Sequence, residues 1–276
     1  MKKQIIILLL VLFPALQSSG CALYAYMSEE GLLIGRNFDW LQRGGTVEFV
    51  SEDRVYGVPT KRFIQLQQMG SDRPFEGINS SGLFIAMAAV VDSPIQEDFN
   101  AEKPLIDALG LMRLVLERAE NTEQAIALMS SFKIDYYQAH NYPKAHYMIA
   151  DPSGKVAIYE EGKDVIMKTL SAGESLSLTN FQVNSQIPCE RLNALNEFIH
   201  TGEKSPAEEM FDAMNEAYVE TTIWTSIYNL NEKNISLAIE EDRDIPIKIG
   251  FDDFQVYHRS VDLGELKMRF TNPFNH

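Results

Sequence analysis

The apolar pattern changes period several times along the chain. Ala22 to Met27 and Leu32 to Trp40 are strand-like runs separated by the turn-rich Ser28-Glu29-Glu30-Gly31, which predicts a hairpin. Phe63 to Leu66 is a weaker strand candidate. Leu83 to Val91 is almost continuously apolar after Asn79-Ser80-Ser81-Gly82, as in a strand buried on both faces. The period then becomes helical. Across Pro104 to Glu120 the apolar positions are Leu105, Ala108, Leu109, Met112, Val115 and Leu116. Asn121, with Gln124 in the box position, caps a second helix reaching Phe132. Tyr147 to Ala150 and Val156 to Glu160 form a second hairpin around Asp151-Pro152-Ser153-Gly154. A short strand is expected over Leu176 to Asn180 and a helix over Pro188 to His200. Ser205-Pro206-Ala207-Glu208 is a strong helix start, with N-cap, first-position proline and capping glutamate. Thr222 to Leu230, Ile235 to Ile239 and Leu266 to Phe270 are read as strands.

Strand hairpins at both ends with helices between them predict a layered α+β domain. Helices outside two stacked sheets would account for the doubly buried strands, although periodicity alone does not choose between two sheets and one.

The first twenty residues have their own pattern. Lys2 and Lys3 precede an apolar stretch from Ile5 to Leu16, broken by Pro14 and followed by Ser18-Ser19-Gly20. This is the order of a signal peptide, with small residues before the cut. The stretch is shorter than the roughly 20 residues that span a bilayer as a helix. The expectation is a leader over 1–20, a single mature domain over 21–276, export to the periplasm or medium, and no stable membrane insertion after cleavage.

Composition narrows the function. The chain has 276 residues and a formal charge of −15; without the two leader lysines the charge is −17. Such a chain repels nucleic acid and anionic membrane surfaces. Hydrophobic residues make up 45%, so a folded core is expected rather than disorder. The only two cysteines, Cys21 and Cys189, are too few for a disulfide framework. His140, His146, His200, His258 and His276 form no His-Glu-x-x-His. Gly-x-Ser-x-Gly, a metal-ligand cluster and a phosphate-binding glycine loop are also missing from the sequence. No cofactor or metal is expected.

Cleavage after Gly20 would make Cys21 the first residue. An N-terminal cysteine carries a thiol nucleophile and an α-amine base on one framework. The amine, with a pKa near 8, can take the thiol proton directly or through water. Arg36 is the natural group to stabilise the thiolate, because a hairpin folds its strand back beside Cys21. Asp39 could accept from the α-ammonium. Residues 36 and 39 differ by an odd number, so an ideal strand sends them to opposite faces. Both reach one site only if the strand bulges or ends near Asn37.

Cys21, Gly35-Arg36-Asn37-Phe38-Asp39-Trp40, Gly77-Ile78-Asn79-Ser80-Ser81-Gly82-Leu83 and Leu178-Thr179-Asn180 together resemble the choloylglycine hydrolase family of N-terminal-nucleophile amidases. That group includes penicillin V acylases, bile salt hydrolases and relatives of acyl-CoA:6-aminopenicillanate acyltransferase. Thr222-Ile223-Trp224-Thr225-Ser226-Ile227-Tyr228 resembles a late strand of the family. The resemblance implies a four-layer αββα sandwich and hydrolysis of linear N-acyl amides through a thioester. It implies Cys21 as nucleophile, Arg36 and Asp39 as its supports, and Asn180 as side-chain donor to the oxyanion. A backbone N–H near Ala89 would be the second donor. Arg191 follows Asn180 by eleven residues, closer than the downstream arginine of bile salt hydrolases, which lies beyond an assembly loop. Either that loop is absent or Arg191 is not the equivalent residue. Phe38, Trp40, Phe75 and Phe181 are aromatics beside these motifs that suit either an apolar acyl pocket or core packing.

Two other readings stay open. An acyltransferase would share the acyl-enzyme and resolve it with an amine instead of water. A lipoprotein would use Cys21 as a diacylglyceryl anchor, although Ser18 stands where a lipobox normally has leucine. The expected partner is a small N-acyl amide, and a homo-oligomer is compatible with the sequence.

Overall fold

A computed structural model describes residues 20–55, 57–90, 102–136, 144–183, 185–240, 242–255 and 260–271. The leader through residue 19, Val91, His140, His258 and His276 lie outside these residues. The chain opens with the expected hairpin, β1 (Ala22–Ser28) and β2 (Gly31–Asp39). Ser28 Oγ accepts from Glu30 N–H and donates to the Gly31 carbonyl, closing the turn. Then come β3 (Gly45–Val50), a small arm of β4 (Arg54–Val55) and β5 (Val58–Pro59), β6 (Phe63–Gln68), β7 (Glu76–Asn79) and β8 (Phe84–Ala89). The middle holds β9 (Leu105–Asp107), α1 (Ala108–Arg118), α2 (Thr122–Ser130) and β10 (Lys133–Asp135). β11 (Ala145–Ala150), β12 (Lys155–Glu160), β13 (Ile166–Thr169) and β14 (Ser175–Leu178) lead to α3 (Glu190–Glu197) and α4 (Pro206–Glu216). β15 (Thr222–Asn229), β16 (Asn234–Ile239), β17 (Asp242–Gly250), β18 (Ser260–Asp262) and α5 (Leu263–Thr271) complete the chain.

Two large sheets result. One has the order β14-β1-β2-β15-β16-β17 and the other β13-β12-β11-β8-β7-β6-β3-β18. One apolar cluster draws on both, including Leu23, Ile34, Phe38 and Trp224 from the first and Ile64, Ile78, Phe84 and Met148 from the second. Phe84 and Tyr228 meet across the gap with ring centres 4.7 Å apart. α3 and α4 pack on the outer face of the first sheet, and α1 and α2 on the outer face of the second. A second apolar cluster, including Tyr24, Leu33, Met210, Met214 and Ile227, seals α4 to the first sheet. The architecture is the expected four-layer αββα sandwich in a single domain. The sequence order hid it, because both sheets take strands from the two halves of the chain.

Capping chemistry sets the helix starts. Asp107 accepts from Gly110 N–H, so α1 begins at Ala108. Residues 105–107, expected in that helix, pair instead with β10 in parallel. Asn121 accepts from Gln124 N–H at the start of α2, and Ser205 and Glu208 form the capping box of α4. The strand expected over Leu266 to Phe270 is wrong, since these residues belong to α5. Asp262 Oδ1 accepts from Gly264 and Glu265 N–H, Leu263 and Leu266 are buried one turn apart, and Glu265 pairs with Arg269 four residues on. The turn before β8 needs its glycine. Gly82 has φ +86°, and a Cβ there would stand 2.7 Å from the Leu230 carbonyl.

Candidate active site

β1 and β2 pair antiparallel, with Leu23 opposite Arg36 and Ala22 opposite Asn37. Alternation sends Ile34, Arg36 and Phe38 between the sheets, where Cys21 lies beside them, and turns Gly35 and Asn37 toward α4. Arg36 is fully buried. Its Nη2 donates to Cys21 Sγ at 3.3 Å and to the Met87 carbonyl at 2.9 Å, and its Nη1 donates to the Phe75 carbonyl. Its Nε lies 2.9 Å from Glu76 Oε2.

Glu76 is also fully buried and accepts through Oε1 from Ser226 at 2.5 Å and Tyr228 at 2.9 Å. The guanidinium lies 5.2 Å from the centre of the Phe38 ring. Burial works against the charge on Arg36, but Cys21 and Glu76 outweigh it and hold the guanidinium above its usual pKa. Burial also pushes the Tyr228 hydroxyl well above its ordinary value, so it stays a neutral donor to Glu76.

Asp39 ends β2. The ladder shifts register on the facing strand, between Thr222 and Trp224, instead of bulging in β2. β2 stays paired through Asp39, past the expected end near Asn37, yet Arg36 and Asp39 both line one cavity. Asp39 Oδ1 accepts from Thr222 Oγ1 at 2.6 Å, and Oδ2 from Arg191 Nη1 at 2.7 Å. Burial raises the Asp39 carboxyl to about 6, with Thr222 and Arg191 pulling the other way.

Arg191 stands in the first turn of α3 and reaches into the site. Besides Asp39, Nη1 donates to the Gly20 carbonyl and Nη2 to Asn180 Oδ1 at 3.1 Å. Asn180 is buried just beyond β14, and its Nδ2 donates to the Ala89 carbonyl at 2.9 Å. The carbonyl of Ala89 is thus engaged at this edge. In an antiparallel strand the N–H of a residue points to the same side as its carbonyl, so the Ala89 N–H shares this edge.

The cavity holds about 40 Å³ and is lined by Gly20, Cys21, Arg36, Phe38, Asp39, Trp40, Phe75, Met87, Ala89 and Asn180. Of the four aromatics, Phe38, Trp40 and Phe75 form its wall. Phe38 is also core, stacked on Trp224 with ring centres 4.0 Å apart. Phe181 is half-buried and is not among the lining residues. Sequence reasoning missed Glu76 and Met87. A lone acid inside the apolar stretch Phe75-Glu76-Gly77-Ile78 was a usable signal, because unpaired acids are almost never fully buried. Met87 contributes a backbone carbonyl, for which side-chain chemistry gives no sign.

Among the described residues no helix is long and apolar enough to cross a membrane. No curated protein matches the chain. Solved structures that share its fold include the following three. A variant of the conjugated bile acid hydrolase from Clostridium perfringens is 15% identical, with a TM-score of 0.63 over 88% of this chain and 96% of that one. Penicillin V acylase from Agrobacterium tumefaciens is 14% identical, with a TM-score of 0.58 over 88% and 90%. The Caenorhabditis elegans orthologue of N-acylethanolamine-hydrolyzing acid amidase is 13% identical, with a TM-score of 0.56 over 76% and 93%. A model of the acyl-coenzyme A:6-aminopenicillanic acid acyl-transferase family matches residues 26–244, a span that begins just after Cys21 and includes Arg36, Asp39, Asn180 and Arg191. The chain belongs to that family, within the wider penicillin acylase-like group of N-terminal-nucleophile proteins.

Proposed function

We propose that the chain, once cut before Cys21, hydrolyses the linear carbon–nitrogen bond of a small N-acyl amide through a thioester on Cys21. The observation that carries this reading is the bond from Arg36 Nη2 to Cys21 Sγ, in a cavity shared with Asp39 and Asn180. The sulfur attacks the amide carbonyl as the thiol proton passes to the α-amine of Cys21. The oxyanion accepts from Asn180 Nδ2, which has a second hydrogen beyond the one given to Ala89, and from the Ala89 N–H. The carbon–nitrogen bond then breaks, and the α-ammonium gives its proton to the leaving amine. Water attacks the thioester, returns a proton to the thiolate and releases the acid.

Removal of residues 1–20 is part of this reading. The Gly20–Cys21 peptide uses the α-nitrogen as an amide, which is no base. Gly20 also lines the cavity and occupies Arg191. About 40 Å³ admits only a few waters, far below the roughly 300 Å³ or more of an ordinary small-molecule site. Release of Gly20 frees the amine and enlarges the cavity. The aromatic wall of Phe38, Trp40 and Phe75 suits an apolar acyl group. The lipoprotein reading fits poorly, because Cys21 is 7% exposed and its sulfur faces Arg36. Export by the leader fits the chemistry.

The family match favours the acyltransferase as a second reading. It differs only in the group that resolves the thioester.

The test is to incubate the exported, processed protein with penicillin V, a glycine-conjugated bile salt and an N-acyl amino acid, with and without added acceptor amines. Amine release from at least one substrate, lost in Cys21→Ser, is expected. Release that depends on an acceptor would establish the transferase. Cleavage undiminished in Cys21→Ser would overturn the mechanism.

A further inference from the structure

Among its described residues, the segment that carries Asn180 has no regular structure of its own, since β14 ends at Leu178 and α3 starts at Glu190. Two buried polar side chains of the opposite sheet hold it. His146 in β11 and Glu160 in β12 stand directly opposite each other in register, with Nδ1 and Oε2 3.6 Å apart. His146 is fully buried and Glu160 nearly so. His146 Nε2 lies 2.5 Å from the Thr179 carbonyl, so this nitrogen is protonated and donates. Glu160 Oε2 accepts from Val183 N–H at 3.1 Å. Burial works to raise the Glu160 carboxyl, but His146 and the Val183 N–H outweigh it and hold it below its usual value.

We infer that His146 and Glu160 are positioning residues that clasp the loop at Thr179 and Val183 and hold the Asn180 side chain where the reaction needs it. The Thr179 carbonyl and the Asn180 nitrogen belong to one planar peptide unit, so fixing that oxygen restricts where the Asn180 Cα can lie. The second anchor, Val183, four residues after Thr179, limits rotation of the segment. An apolar pair at these two positions would fill the same space but take these partners from the Thr179 carbonyl and the Val183 N–H. The polar pair instead supplies directed bonds to the flanks of one side chain. An oxyanion donor needs that, because its contribution falls steeply when it is displaced by about an ångström.

The inference rests on Asn180 being the oxyanion donor. Acylation of Cys21 by p-nitrophenyl acetate, read as the p-nitrophenol burst, tests both in one double-mutant cycle. His146→Leu should slow acylation by about 10- to 100-fold with little change in the apparent KM. His146→Gln, which keeps a donor, should recover most of the rate. In an Asn180→Ala background, His146→Leu should have no further effect. Equal losses in both backgrounds, or no loss in either, overturn the positioning role. A fast burst in Asn180→Ala alone overturns the reading beneath it.

If His146→Leu does not fold, Glu160→Leu, which removes the acceptor of Val183 N–H, takes its place in the cycle, and additivity there is equally fatal. Amide exchange gives a readout free of activity. Asn180 and Val183 should exchange faster in His146→Leu and Glu160→Leu, which lose the donor and the acceptor, than in the parent protein, and unchanged exchange overturns the clasp.

Discussion

The side chain of Asn180 fills the space that a Cβ on residue 20 would need: its Oδ1 lies 2.1 Å from that point and its Nδ2 2.5 Å. Asn180 cannot step aside freely, because Ala89 and Arg191 hold both ends of its amide. Gly20 is therefore a fitted part of the uncut chain as well as a small residue before the cut.

Gly20→Val should destabilise the uncut chain by about 1–3 kcal/mol, the usual cost of forcing extra atoms into a packed site. It should also reduce the yield of chains that begin at Cys21. Once cut, the variant is chemically identical to the parent and should turn over at the same rate. Melting of the precursor, intact mass and a rate measurement on the processed chain check the three parts. A precursor as stable as the parent would show that Asn180 moves freely.

The buried pair of Arg36 and Glu76 gives the second expectation. Removing one partner leaves an uncompensated buried charge, which typically costs about 3–5 kcal/mol. Arg36→Leu should lose stability on that scale and slow alkylation of Cys21 by iodoacetamide at neutral pH. Arg36→Lys keeps a charge but cannot serve Cys21, Phe75, Met87 and Glu76 from one planar fork, so it should fall between the two. Alkylation of Arg36→Leu at the parental rate would detach Arg36 from the thiol.

The first hairpin shows why part of the fold was legible. Its alternation, its turn residues and the arginine three places before Asp39 are all local, and the structure brings each to its expected place. The two-sheet arrangement is not local. β2 pairs with β15 and β8 with β11, contacts fixed only when distant segments meet. Leu266-Lys267-Met268-Arg269-Phe270 alternates apolar and charged residues as a strand does, but over only five residues, and the deciding signal was the cap at Asp262. Arg191 was visible as a residue, but its reach to Asp39, Asn180 and Gly20 depends on where α3 lands. His146 and Glu160 gave no signal at all, because their partners are backbone groups.

Asp39 predicts opposite responses of activity and stability to acid. Its carboxyl titrates near 6 in the uncut fold and near 3.8 when exposed. The folded chain therefore binds this proton more tightly than the unfolded one. The resulting stability is fully present below about pH 4 and is lost as pH rises through about 6, an effect of about 3 kcal/mol. Asp39→Asn should flatten that part of the stability profile. Activity runs the other way, because protonation cancels the charge that holds Arg191. Release of the Cys21 amine adds a positive charge to the cavity and pulls the carboxyl down, so the acid limb of kcat/KM in the processed enzyme should lie below 6. A limb unchanged in an active Asp39→Asn variant would assign it to another group.

Asn180 carries the last expectation. Its Nδ2 has one hydrogen on the Ala89 carbonyl, and its Oδ1 accepts from Arg191, which in turn holds Asp39. The side chain is thus oriented before any substrate arrives, and its second hydrogen strengthens its bond only as negative charge builds on the carbonyl oxygen. An interaction of that kind acts on the transition state more than on substrate binding. Asn180→Ala in the processed enzyme should reduce kcat by about 100-fold or more while KM moves little. Arg191 keeps its bond to Asp39 in that variant, so the fold should survive. A large rise in KM at constant kcat would reassign Asn180 to substrate binding, and loss of the fold would make it a structural link between α3 and the edge of β8.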